Sequence, residues 1–200
     1  MKKKYGRILT VQDISCIGQC SLTVALPVIS ACGHETIILP SAILSSHTYR
    51  FKGWTFRDLT DDIPAILDHW KSEGIKFDAC YTGYLGSKRQ IDIIKGIFAD
   101  MLVAGGLKIV DPAMADEGLL YPGFNDEYVE EMKKLVAVSD IVLPNITEAA
   151  YGDRIQRKIR RNVRQRTRRK IKAFGREGGR YYGREIRRRF YRSVRKRRKR

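Results

Sequence analysis

Apolar positions along the chain fall into short compact runs separated by longer stretches with helical spacing. Residues 7–12 (RILTVQ) end in polar Gln12 and Asp13 and read as a buried strand. Residues 19–32 (QCSLTVALPVISAC) are apolar and helix-length, with Gly33 as a natural stop. Residues 35–39 (ETIIL) predict a second strand. Residues 60–73 place Ile63, Ile66, Leu67 and Trp70 at helical intervals, followed by Gly74. Residues 77–82 (FDACYT) predict a third strand, and residues 87–102 a helix with Ile91, Ile94 and Phe98 on one face. Residues 107–110 predict a fourth strand and 141–143 a fifth. Between them, residues 125–138 predict a helix whose opening acids suit the positive end of its dipole.

Strands alternating with helices of this length predict an α/β three-layer sandwich with a mainly parallel central sheet. Ligands in such sheets bind beyond the carboxyl ends of the strands. The residues that follow each predicted strand are therefore the candidates for chemistry. They are Gln12 and Asp13, residues 45–48, Gly83 and Tyr84, residues 111–116, and residues 145–148.

Charge divides the chain. Residues 151–200 carry 24 Lys and Arg against three acids, whereas residues 1–150 carry 15 against 19. The formal charge of +17 thus sits in the last quarter, and the body is mildly acidic. Apolar residues in that quarter are sparse and without a sustained period, which predicts disorder. Purine-only codons encode Lys, Arg, Glu and Gly, so a purine-rich strand read out of frame gives a segment of this kind. A frameshift near codon 151 is the expectation, with the sheet left incomplete at its C-terminal side. The alternative is a basic tail that binds nucleic acid without sequence preference through phosphates.

Cys16, Cys20, Cys32 and Cys80 make no C-x-x-C pair and have no accompanying His cluster, so they predict neither a zinc site nor disulfides. The apolar run near the start is too short for a signal peptide, and no stretch is long enough to span a bilayer. A cytoplasmic protein without a membrane partner is expected. No G-x-x-x-x-G-K-[ST] loop, no G-x-G-x-x-G after a strand and no G-x-S-x-G elbow is present.

Two acidic segments allow two readings each. Asp111 and Asp116, five apart after a strand, suit Mg²⁺ and water near phosphates, or a turn with solvated acids. Asn145 and Glu148 suit the organisation of metal-bound water, or a capping arrangement at the next helix. Tyr84 offers a ring to a flat heterocycle or simply packs over the sheet edge. His47 and Thr48 offer polar groups after the second strand.

The segments VQDISCIGQCSL, LSSHT, FKGWTFRDLTDDIPAILDHW, YTGYLGS, VDPAMAD, GLLYPGF and LPNITEAA resemble, in order and spacing, those of bacterial pyridoxal/pyridoxamine kinases. These are ribokinase-like enzymes, and the resemblance runs from about residue 7 to residue 150. Hydroxymethylpyrimidine kinase is the nearest alternative, and the T-G-Y and H-T motifs favour the vitamin B6 kinase. The resemblance implies ATP-dependent phosphorylation of the 5′-hydroxymethyl group of pyridoxal, pyridoxine or pyridoxamine, in a homodimer. It implies that Asp13, at a position often serine in the family, lies beside the pyridine ring. It further implies that Thr48 and Tyr84 line the vitamin pocket and that Tyr121 belongs to a lid region. Asp111, Asp116 and Glu148, with Asn145 beside them, match residues that organise Mg²⁺ or a monovalent cation around the ATP phosphates. The family's catalytic Asp, in a G-x-G-D motif, has no counterpart here, since Gly152-Asp153 lacks the preceding strand. The expectation is a pyridoxal kinase by descent whose 200-residue chain has little or no activity. A remnant that binds the vitamin without turning over ATP is the non-catalytic alternative.

Overall fold

The computed structural model describes residues 5–48 and 51–151. A six-stranded sheet holds β1 (Arg7–Ser15), β2 (Glu35–Leu44), β3 (Phe56–Asp58), β4 (Phe77–Thr82), β5 (Leu102–Val110) and β8 (Ile141–Val142) in the order β3-β2-β1-β4-β5-β8. All neighbours are parallel except β3, which runs antiparallel to β2. Helices α1 (Leu22–Ala31), α2 (Ile63–Ser72), α3 (Lys88–Asp100) and α4 (Asp126–Val138) connect the strands. A two-stranded hairpin, β6 (Ala115–Asp116) with β7 (Leu119–Leu120), and a short helix α5 (Ile146–Ala150) complete the described elements.

Strand order reverses at β1. The crossover through α1 steps from β1 to β2, whereas α2, α3 and α4 carry the chain the other way. Right-handed crossovers put these two groups on opposite faces of the sheet. The larger core lies on the α2, α3 and α4 side, where Leu9, Val11, Phe77, Cys80, Ile91, Ile94, Met132 and Leu135 are buried. Each fully buried side chain of this size contributes about 1.5–3 kcal/mol of hydrophobic stabilisation. The predicted α/β three-layer architecture with a mainly parallel sheet is the one observed.

Several boundaries differ from those expected. β3 was not predicted, because all three of its residues are exposed and show no alternation. β1 extends to Ser15, past a register shift at which Asp13 faces the two residues between Pro40 and Ile43 on β2. Such irregularities re-aim a side chain next to a site. β5 starts at Leu102 rather than 107, since the strand continues through Gly105, which takes a φ of 76°. The expected last quarter, including its predicted disorder, lies outside the described residues, and so do the segment boundaries drawn there. Among the described residues, no helix is long and apolar enough to cross a membrane. The four cysteines are free thiols, with Cys80 buried in the core.

Candidate functional site

The point where strand order reverses opens a crevice at the carboxyl ends of β1 and β4, as this topology requires. There a cleft of about 390 Å³ is lined by Asp13, Ser15, Thr48, Trp54, Tyr84 and Tyr121, among others. The four residues singled out for a small-molecule pocket, Asp13, Thr48, Tyr84 and Tyr121, therefore surround one hollow, although they span more than a hundred positions in sequence.

Each side is built by local chemistry. Asp13 is only 5% exposed, and its carboxylate accepts a hydrogen bond from the Ser15 hydroxyl at 2.9 Å. Both project from the irregular end of β1. Tyr84 follows β4 and stacks on Phe124 with ring centroids 5.6 Å apart, and Phe124 in turn stacks on Tyr128 at 3.8 Å. Burial, reinforced by the charges of Asp13 and Asp58, pushes the Tyr84 phenol up to about 12, so it stays a neutral donor. Gly18 lines the cleft with a φ of 117°, and a Cβ there would lie 1.8 Å from the His47 ring. Glycine is what lets His47 close that side. Thr48 is exposed at the mouth.

The acids gather next to this cleft. Burial first, then the charges of Glu148, Asp116, Asp111 and Asp13, push the Tyr121 phenol up to about 12. Asp111 sits just past β5, where its N–H donates to the Thr82 carbonyl at 3.0 Å. Burial raises its carboxyl to about 6. Glu148 is 2% exposed, and burial pushes it to about 8, with the Asp111 charge adding to the rise. Its two oxygens accept the N–H groups of Asn145 at 2.8 Å and Met114 at 3.3 Å. Asn145 caps α5 by accepting from the Glu148 N–H at 2.9 Å, and its amide donates to the Ala115 carbonyl at 2.7 Å. The capping reading of Asn145 and Glu148 is thus what the geometry displays. These bonds tie α5 to the β6–β7 hairpin, which carries Asp116.

Asp116 is exposed and accepts the N–H of Glu117. Among the described residues, no three His, Cys, Asp or Glu side chains group to hold a metal ion. Glu148 commits its oxygens to backbone donors. Mg²⁺ is ordinarily held by one or two carboxylates together with phosphate oxygens and water. Asp111 and Asp116 fit that partial role only.

Several groups of the site carry no signal in the local sequence: Ser15, Trp54 and the Gly18–His47 contact in the lining, and the Phe124–Tyr128 stack behind Tyr84. A second hollow of about 470 Å³ separates α1 from β1 and β4, between Val24, Val28, Gln12, Tyr81 and Asp111. In β4 the Thr82 hydroxyl is buried without a hydrogen-bond partner.

No family model and no curated protein matches the chain. Solved structures do. One, named as a phosphomethylpyrimidine kinase from Bacteroides thetaiotaomicron and crystallised with pyridoxal, is 43% identical with a TM-score of 0.71, over 74% of this chain and 51% of that one. Pyridoxal kinase from Lactobacillus plantarum is 34% identical with a TM-score of 0.69, over 74% of this chain and 52% of that one. The chain has the fold of these kinases. Pyridoxal kinase from Leishmania donovani, in complex with ADP and pyridoxamine, shares the fold at 18% identity and a TM-score of 0.66, over 72% of this chain and 53% of that one. The chain spans about half the length of the structures it matches.

Proposed function

We propose that the described residues form the vitamin-binding part of a kinase that transfers the γ-phosphoryl group of ATP to the 5′-hydroxymethyl group of pyridoxal, pyridoxine or pyridoxamine. The observation that carries this reading is the convergence of Asp13, Thr48, Tyr84 and Tyr121 on one cleft of about 390 Å³. Its size suits a small molecule, for which sites measure roughly 300–1,000 Å³. The 43% identical structure crystallised with pyridoxal supports the ligand class.

In this reading Tyr84, backed by Phe124, is a flat wall for the pyridine ring. Asp13, oriented by Ser15, accepts from a ring substituent or ring N–H. Thr48 bonds at the mouth, and Tyr121 covers the side facing the acids. Asp111 and Asp116 hold Mg²⁺ together with ATP phosphate oxygens and water. Asn145 and Glu148 set the hairpin that presents Asp116. ATP supplies the phosphoryl group, and Mg²⁺ or a monovalent cation supplies charge neutralisation, the dominant need in phosphoryl transfer. No described residue is assigned as the base that takes the substrate proton. Residues 1–150 as one part of the kinase domain, residues 151–200 as a separate basic segment, and assembly as a homodimer belong to the same proposal.

The name of the Bacteroides relative favours one second reading, in which the ligand is a hydroxymethylpyrimidine. Calorimetric titration of the purified chain with pyridoxine and with 4-amino-5-hydroxymethyl-2-methylpyrimidine separates the two. Binding of pyridoxine that weakens in Tyr84→Ala supports the vitamin reading. Binding of the pyrimidine alone transfers the function to the second, and binding of neither refutes both. The nucleic-acid reading rests on residues outside the described region, and no comparison supports it.

A further inference from the structure

Beside the cleft, three successive backbone groups are each held by a buried side chain from a different element. After β4 the chain turns through residues 83–86 before α3. The Tyr84 carbonyl accepts from the Ser41 hydroxyl of β2 at 2.8 Å. The Leu85 carbonyl accepts from the Tyr128 hydroxyl of α4 at 2.6 Å. The Gly86 N–H donates to the Gln90 side-chain carbonyl of α3 at 2.7 Å. Ser41 is fully buried, Gln90 is 1% exposed and Tyr128 is 4% exposed.

Gln90 is itself locked. Its amide nitrogen donates to the Ser41 carbonyl at 2.9 Å and the Thr60 hydroxyl at 2.8 Å, with Asp58 at 3.2 Å. Because the Gly86 N–H can only donate, it fixes which end of the amide faces it. Tyr128 acts twice, since its ring also lies beneath Phe124, which stacks on Tyr84. At the start of the turn, a Cβ at Gly83 would lie 2.9 Å from the Gln12 side chain. The turn therefore has bonded or packed neighbours along its length.

We propose that Ser41, Gln90 and Tyr128 are positioning residues that hold the Tyr84 ring in place before any ligand arrives, so that the cleft selects flat heteroaromatic rings by stacking on a pre-ordered wall. A pre-ordered wall removes the cost of immobilising the ring on binding. The ligand side of this inference rests on the vitamin reading above, whereas the ordering of the ring does not.

The test uses the full chain and the variants Tyr128→Phe, Gln90→Leu and Tyr84→Ala. Tyr128→Phe keeps the stack and removes one hydrogen bond. Ring order is read first, from the upfield-shifted Tyr84 ring protons in nuclear magnetic resonance of the unliganded protein. The expected result is a shift toward random-coil values in Tyr128→Phe and Gln90→Leu. Unchanged ring shifts in both folded variants overturn the proposal whether or not the vitamin binds. Pyridoxine affinity is read second. Tyr128→Phe is expected to weaken binding about five- to tenfold, the range of one buried hydrogen bond, and to change it less than twofold in the Tyr84→Ala background. Equal losses in both backgrounds overturn the positioning role, because a merely structural effect does not depend on Tyr84. If the wild-type chain binds no pyridoxine, the vitamin reading fails and the ring-shift result alone decides the clamp. If Gln90→Leu does not fold, Tyr128→Phe decides both readouts.

Discussion

Replacing Asp111 with asparagine is expected to stabilise the protein above pH 6 and to leave it nearly unchanged at pH 4. Burial raises the Asp111 carboxyl from 3.8 to about 6. Its folded form thus prefers the proton more than its unfolded form does. The group's contribution is most favourable below the unfolded value and is lost as pH rises through the folded one. One pKa unit corresponds to about 1.4 kcal/mol. The full shift is then worth about 3 kcal/mol, reduced to about 1–3 kcal/mol because the carboxyl keeps some contact with water. Asparagine has the same shape and no charge to desolvate, so it removes the penalty. Urea unfolding of both proteins at pH 4, 6 and 8 gives the difference directly. The expected difference grows from near zero at pH 4 to about 1–3 kcal/mol at pH 8 in favour of the variant. A variant less stable than wild type at pH 8, or a difference that does not change with pH, refutes the reasoning. A carboxylate retained at such a cost is the pattern of a functional group, because sites trade stability for activity.

Three further outcomes follow from single contacts. Glu148→Gln leaves one of two backbone N–H groups facing an amide instead of an acceptor, but it also removes the charge whose burial raises the carboxyl to about 8, so in urea unfolding the variant is expected to gain on wild type as pH rises from 6 to 9. Gly18→Ala forces a Cβ against His47 at a φ of 117°, and backbone strain of that kind costs about 1–3 kcal/mol; the melting temperature should fall and pyridoxine binding weaken. Thr82→Val replaces an unpartnered buried hydroxyl with a methyl group. That change should be neutral or stabilising by about 1 kcal/mol in the same urea assay.

Much of the fold could be read from the chain because its signals are local. The compact apolar runs at β1, β2 and β4 and the spaced faces of α2, α3 and α4 carry their own periods. β3 carries none, because Phe56, Arg57 and Asp58 are all exposed. The continuation of β5 through Gly105 and Gly106 contradicts strand propensity and depends on its neighbours. Asp13, Thr48 and Tyr84 stood out because strand ends punctuate an α/β chain with polar and aromatic residues, whereas Tyr121 came only from the family resemblance. Their neighbours did not, because Ser41 and Tyr128 act on the turn across 43 positions, and Gln90, only four positions past Gly86, is held in place by Ser41 across 49. The acids illustrate the same limit. Spacing left Asn145 and Glu148 open between a cap and a metal shell, and only the distances to Met114 and Asn145 display the cap.

The central claim is that the cleft binds a B6 vitamer against Tyr84, and calorimetry of the purified 200-residue chain with pyridoxine tests it most directly. The account predicts saturable one-to-one binding that Tyr84→Ala weakens about tenfold or more, in line with about 1–3 kcal/mol for losing an aromatic stacking partner and the contact area it buries. No heat of binding to a folded wild-type chain, or equal affinity in Tyr84→Ala, would contradict it.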